Sequence, residues 1–430
     1  MNKSDIDFDQ QHIWHPYSSM INPLPCYLVK SAQGIFLNLS NGQQLIDGMS
    51  SWWAVIHGYN HPRLNRALKN QINRMSHVMF GGITHHPAIS LCRNLIKITP
   101  KNLSCIFLSD SGSVAIEVAI KMVLQYWKSL GKNKIKFLTI KNGYHGDTFS
   151  AISVCDPNNS FHNLYSNFFP KNLFSDAPKC SFYNKWDEQD IYSFNNFIEK
   201  YKDVIAAVIL EPIVQSIGGM NFYHPMFLKK VRLLCNTFEI PLILDEIATG
   251  FCRTGKFFAF EHANIVPDIL CIGKAITGGT ITLSATLTTK KIATTISKNN
   301  ISGCFMHGPT FMANPLACAV ANENIKILKE NKWKMQINNI EKCFRLHLLP
   351  LQSHPEVNDV RILGAIGVVE CVHIINVAYM QKFFVKNGVW IRPFEKIIYL
   401  IPSYIIDENS LKKLIYVISI ALDHKNFFLR

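Results

Sequence analysis

The 430-residue chain has no uninterrupted apolar run approaching the ~18 residues that a membrane span requires. Its N-terminus, Met1-Asn2-Lys3-Ser4-Asp5-Ile6-Asp7, is polar and partly acidic, with neither the apolar core of a secretion signal nor the Arg-rich amphipathic pattern of an import signal. The expected location is therefore the cytoplasm. No C-x-x-C pair occurs among the twelve irregularly spaced cysteines, which excludes the usual zinc-site and disulfide-framework readings. Cys105, Cys271 and Cys318 lie in apolar runs and read as reduced core residues, and no metal site is expected. The basic excess, 44 Lys and Arg against 30 Asp and Glu for a net charge of +14, raises nucleic-acid binding. The basic residues are scattered, however, with no dense basic helix, RNP motif or zinc finger, so neither nucleic acid nor membrane is expected as a partner.

Internal repeats and low-complexity segments are also missing. What is present is 48% hydrophobic and 17% charged residues, the composition of an ordinary globular protein long enough for two or three domains. Short apolar runs alternate with longer helical patterns, which predicts an α/β sheet protein. Candidate strands are Cys105–Leu108, Phe137–Ile140, Ile205–Leu210, Leu242–Leu244, Ile269–Ile272 and Leu283–Leu287. Val114–Trp127 reads as a helix between the first two. After about residue 320 a long helix and a strand-rich stretch suggest a smaller C-terminal domain. The expected division is an N-terminal segment 1–60 packing with that domain, a large domain 61–320, and a small domain 321–430.

Two strand ends carry the chemistry. The run Ile269–Ile272 leads into Gly273-Lys274, and the run Leu242–Leu244 leads into Asp245-Glu246. An amine and an acid at the ends of two buried strands suit pyridoxal phosphate (PLP): the lysine forms a Schiff base with the aldehyde, and the acid keeps the pyridine nitrogen protonated. A lone strand-end lysine more often only reaches to solvent, so the rest of the cofactor's needs matter. Ser111-Gly112-Ser113 follows the first strand and opens the helix, where free N–H groups suit a phosphate or serve as a plain cap. Asn142-Gly143-Tyr144-His145-Gly146-Asp147 follows the second strand and presents an aromatic ring, to a cofactor or to the core. His307-Gly308-Pro309-Thr310-Phe311 is a turn that can hold phosphate or simply lie on the surface. Arg392, in Trp390-Ile391-Arg392-Pro393-Phe394, offers a fork for a carboxylate or for solvent.

Taken together, Asp-Glu-Ile-Ala-Thr-Gly-Phe-x-Arg-Thr-Gly at 245–255, Gly-Lys-Ala at 273–275 and Gly-Pro-Thr at 308–310 resemble the class III, fold type I, PLP-dependent aminotransferases over essentially the whole chain. Trp14–Tyr17, Asp47–Trp53, His57–Pro62 and Met79–His85 are similar to the subgroup acting in biotin biosynthesis. The resemblance implies a large domain with a mainly parallel sheet and a smaller α+β domain. It implies a homodimer, and a ping-pong transfer of the α-amino group of S-adenosyl-L-methionine to 8-amino-7-oxononanoate, giving 7,8-diaminononanoate. By the same resemblance Lys274 is catalytic and carries PLP, and Gly112, Ser113, Tyr144, Asp245, Pro309 and Thr310 bind it. Tyr17, Trp52, Tyr144, Lys274, Gly308, Arg253 and Arg392 are assigned to substrate, and Glu211 to an active-site carboxylate. The nearest alternative is a class III enzyme with an ω-amino or ordinary α-amino donor; a PLP-binding dimer without turnover is another. Cys252, Ser216, Ala313 and Glu395 each replace a glycine usual in the family pattern. Where such a glycine serves a positive φ, a side chain costs on the order of 1 kcal/mol.

Overall fold

The computed structural model describes residues 3–158, 160–299 and 303–429. The chain forms two compact units, one from Met1–Pro62 with Lys332–Arg430 and the other from Arg63–Asn331.

The first unit opens with β1 (Val29–Gln33), β2 (Phe36–Leu39) and β3 (Gln44–Asp47), an antiparallel set. The larger unit contains a seven-stranded sheet of β4 (Leu103–Ser109), β5 (Lys136–Ile140), β6 (Leu173–Ser175), β7 (Ile205–Leu210), β10 (Leu242–Asp245), β11 (Ile269–Ile272) and β12 (Ser284–Thr289). A small hairpin, β8 (Val214–Gln215) with β9 (Asn221–Phe222), leaves the end of β7. The sheet order is β4-β12-β11-β10-β7-β5-β6, and every pairing is parallel except those of β12. Strands β7, β10 and β11 are buried along their whole length, which is why they read as continuous apolar runs.

The predicted strands all form, within one or two residues at their ends. The short edge strand β6 is too brief and too mixed to stand out in sequence. The helix after β4 spans Gly112–Ser129 and buries Ala115, Ile116, Val118, Ala119, Met122 and Val123, a broad stripe against the sheet. The helix Pro315–Lys329 falls in the larger unit, beyond the expected boundary at 320. Asn322 bonds Pro87 and Asn94 there, and buried Asn324 donates to the carbonyls of Ala275 and Ile276 at 2.9 and 3.0 Å.

The first unit is completed by β13 (Val357–Leu363), β14 (Ile366–Cys371), β15 (Ile374–Ile375), β16 (Val389–Trp390), β17 (Ile397–Leu400) and β18 (Phe428–Leu429). Strands β13, β14 and β17 form one antiparallel sheet; β16 adds to β3 in parallel. Among the described residues no disulfide joins the cysteines; Cys271 and Cys318 are buried and Cys105 is partly so.

Three of the four replaced glycines occupy the left-handed region: Cys252 at φ 82°, Ala313 at 55° and Glu395 at 47°. Ser216 does not. Glu395 is the first central residue of a two-residue turn closed by mutual Phe394–Ile397 backbone bonds, a place where glycine is favoured. Its side chain is exposed, so a glycine there removes strain without removing packing. Glu395→Gly is expected to raise the melting temperature by the equivalent of about 1 kcal/mol; at fully buried Cys252 the same relief is offset by the packing lost, so Cys252→Gly gains less, and Ser216→Gly gains nothing. Differential scanning calorimetry of the three variants checks this.

Candidate active site

The carboxyl ends of β7, β10 and β11 and the turn after β5 surround a cavity of about 160 Å³. Ser111, Gly112, Ser113, Tyr144, His145 and Gly146 line one part of it, and Glu211, Ser216, Asp245, Ile247, Ala248 and Lys274 the rest. This is the position that parallel α/β sheets give their ligands.

Asp245 ends β10 and is 5% exposed. One of its oxygens accepts from the backbone N–H of Ile247 at 3.0 Å; the other meets Nδ1 of buried His145 at 2.8 Å. Its neighbour Glu246 does not line the cavity. It accepts from Thr249 and from the N–H of Phe260, and burial pushes its carboxyl up to about 7. Glu211 follows β7. Its Oε2 accepts from the N–H of Tyr144 at 3.0 Å, and its Oε1 accepts from the N–H and hydroxyl of Ser216 at 3.0 and 2.6 Å. Burial raises the Glu211 carboxyl above its ordinary range; these bonds oppose that shift.

Lys274 starts the short helical turn Lys274–Thr277 with φ 42°, and Asn324 holds the carbonyls of the next two residues. Burial lowers the amine below the ordinary lysine range, and the charges of Asp245, Glu211 and Asp147 work against that. The helix Gly112–Ser129 begins at the cavity, with Ser111 as its cap. A Cβ on Gly112 would lie 2.9 Å from Ile247, and one on Gly146 would lie 2.2 Å from the Ser113 hydroxyl, so both glycines are required by close approach. The Ser113 hydroxyl accepts from the N–H of Asp147, and the Tyr144 hydroxyl donates to Asp147 at 2.7 Å.

The residues fit the cofactor expected from the sequence. An amine, a fixed carboxylate and a helix N-terminus face one space. The structure thus brings Gly112, Ser113, Tyr144, Glu211, Asp245 and Lys274 together. Gly308, Pro309 and Thr310 do not line the cavity and sit on a largely exposed loop, and Arg253 is buried at 1% exposure away from the lining. His145 was legible only as a neighbour of Tyr144; nothing in the sequence paired it with Asp245, a hundred residues on.

Tyr17, Trp52 and Arg392 belong to the other unit. Tyr17 is 54% exposed with φ 53°. The Arg392 guanidinium lies over the Trp52 ring, 5.0 Å from its centroid. Trp52 stands in a turn where Ser50, Ser51, Trp52 and Trp53 all have positive φ (44, 43, 57 and 79°). Left-handed backbone costs roughly 1–2 kcal/mol per residue, so something must hold it. Buried Asp47 does so: its carboxylate accepts from the N–H groups of Met49 (2.7 Å) and Ser51 (3.2 Å) and from the Tyr59 hydroxyl (2.7 Å). Ser50 adds a 2.6 Å bond to the Ile401 carbonyl. In the same unit Asp9, His15 and Cys26 converge, with His15 Nε2 2.8 Å from an Asp9 oxygen, and burial and the Asp9 charge raise the Cys26 thiol.

The class-III aminotransferase family model matches residues 17–422. The chain belongs to the class-III aminotransferases. It is 72% identical, over the whole of both chains, to adenosylmethionine-8-amino-7-oxononanoate aminotransferase of Buchnera aphidicola subsp. Baizongia pistaciae. The solved enzyme of that name from Methanocaldococcus jannaschii superposes with a TM-score of 0.90 at 30% identity, covering 97% of this chain and 98% of its own. An amine transaminase from an uncultivated Pseudomonas species, solved in its PLP-bound form, superposes with a TM-score of 0.88 at 27% identity over 96% of this chain and 98% of its own. The chain is thus a PLP-dependent aminotransferase of fold type I.

Two outcomes follow from these geometries. Asp47→Ala strands one buried and two part-buried donors and releases the left-handed turn; an expected loss of about 2–3 kcal/mol, against a smaller one for Asp47→Asn, is measurable by urea denaturation. A lysine whose folded pKa lies below its unfolded one destabilises the fold most below the folded pKa, and the penalty fades as pH rises toward the unfolded value. In cofactor-free protein, Lys274→Met should therefore stabilise most at the acid end of that window and progressively less above it. Denaturation midpoints across pH check the sign.

Proposed function

We infer that the chain transfers the α-amino group of S-adenosyl-L-methionine to 8-amino-7-oxononanoate, giving 7,8-diaminononanoate, the transamination of biotin biosynthesis. The observation that carries the substrate pair is the 72% identity, end to end, with the relative named for it. The chemistry rests on Lys274 and Asp245 sharing one cavity.

PLP, when bound, supplies the electron sink that lets a substrate Cα–H bond ionise. Asp245 places a carboxylate at the strand end, suited to holding a proton on a ring nitrogen. The helix N-terminus at Gly112 and Ser113 offers N–H groups and a positive dipole end to the phosphate. The Tyr144 ring, in a loop anchored to Glu211 and Asp147, walls the cavity. The Lys274 amine, with its proton affinity lowered by burial, carries a proton from the substrate Cα and delivers it elsewhere on the reacting framework.

Arg392 is assigned to a substrate carboxylate, which its fork fits bidentately, and Trp52 offers an aromatic face for a sulfonium. Tyr17 and Arg253 are assigned to substrate recognition with them. In this reading the Arg63–Asn331 unit is the cofactor-binding domain. The working form is a homodimer in the cytoplasm, and the exposed Gly308-Pro309-Thr310 loop serves the partner's site. No helix among the described residues is long and apolar enough to cross a membrane.

The test is the absorption spectrum of protein loaded with PLP, before and after S-adenosyl-L-methionine alone. Conversion of the bound cofactor to its amine form is expected. Persistence of the original band would leave the class standing and remove this donor. Lys274→Ala should reduce turnover by at least about 10³-fold while the fold, by circular dichroism, is unchanged.

A further inference from the structure

Ser216 is the one replaced glycine that carries no backbone strain, and its side chain has a definite partner. Its hydroxyl donates to Oε1 of Glu211 at 2.6 Å, shorter than the 3.0 Å bond its own N–H makes to the same oxygen. Both residues are nearly inaccessible, Ser216 at 2% and Glu211 at 5% exposure, and both line the cavity that holds Lys274. The other Glu211 oxygen accepts the Tyr144 N–H. The Tyr223 hydroxyl donates instead to the Glu211 backbone carbonyl, so it does not compete. A glycine at 216 would leave the carboxylate with backbone donors only.

We propose that the Ser216 hydroxyl is a positioning residue of the PLP site, holding Glu211 as a carboxylate and so keeping a second negative charge beside the Lys274 nitrogen. This deepens the aminotransferase reading and rests on it. The groups that face Lys274 are Asp245, Glu211 and Asp147; those that face Glu211 are His145, Asp245, Tyr144 and Ser216. Asp245 is already committed to His145 and the Ile247 N–H. Asp147 is exposed, so solvent screens its charge. Glu211 is therefore the tunable member: burial favours its neutral form, and its donors favour the charged one. A hydrogen bond to a charged group is worth about tenfold in such an equilibrium. When Glu211 is charged, the Lys274 nitrogen holds its proton to higher pH; when it is neutral, that proton leaves earlier.

The experiment is a pH titration of the visible absorption of PLP-loaded protein, for wild type, Ser216→Ala, Glu211→Gln and the double variant. The wild-type midpoint should fall on Glu211→Gln. It should also fall on Ser216→Ala, by on the order of a few tenths of a pH unit, but Ser216→Ala should add nothing in the Glu211→Gln background. Ser216→Gly serves as a second variant that keeps the backbone donor, with the same expected shift. An unchanged midpoint in Ser216→Ala overturns the proposal, as does an equal fall in both backgrounds, which would mark a general loosening of the loop. If wild-type protein takes up no PLP, the reading of the cavity falls first and this inference with it.

Discussion

A buried carboxylate whose oxygens need partners organises the larger unit. Asp245 is 5% exposed, and a backbone N–H and a histidine ring meet its two oxygens. That requirement fixes the loop carrying His145, which also carries Tyr144 and packs Gly146 against Ser113. Ser113 in turn belongs to the first turn of the helix Gly112–Ser129. One demand for partners thus sets the place of three loops, and those loops enclose the cavity that Lys274 lines. Glu211 repeats the arrangement one strand away with different donors.

The smaller unit meets a different demand. There the expensive element is backbone conformation, four successive left-handed residues, and the stabilising element is again a buried carboxylate, Asp47. Strain of this kind persists where surrounding bonds over-determine it. The turn carries Trp52, whose ring is partly exposed and lies under the Arg392 guanidinium.

Much of this was legible in the chain itself. Strands β7, β10 and β11 are buried on both faces, so their sequences are unbroken apolar runs with visible ends. Lys274 and Asp245 could therefore be placed at strand ends from the sequence, and both line the cavity. His145 could not, because its role depends on a partner a hundred residues away. Ser216 stood out as a departure from a family pattern, but its sequence could not say whether the backbone needed a glycine there. The φ angles separated it from Cys252, Ala313 and Glu395. The helix Pro315–Lys329 reads like the start of a new domain because a long helix follows a loop-rich stretch; side-chain amides at Asn322 and Asn324, invisible to periodicity, tie it to the larger unit.

Non-glycine residues at Cys252, Ala313 and Glu395 keep the native chain in conformations that an unfolded chain need not adopt. A ligand that binds only the folded state adds to the margin these residues reduce, by mass action. The cofactor therefore acts on this chain twice, as a reagent and as a brace, and its depletion would lower activity and folded lifetime together.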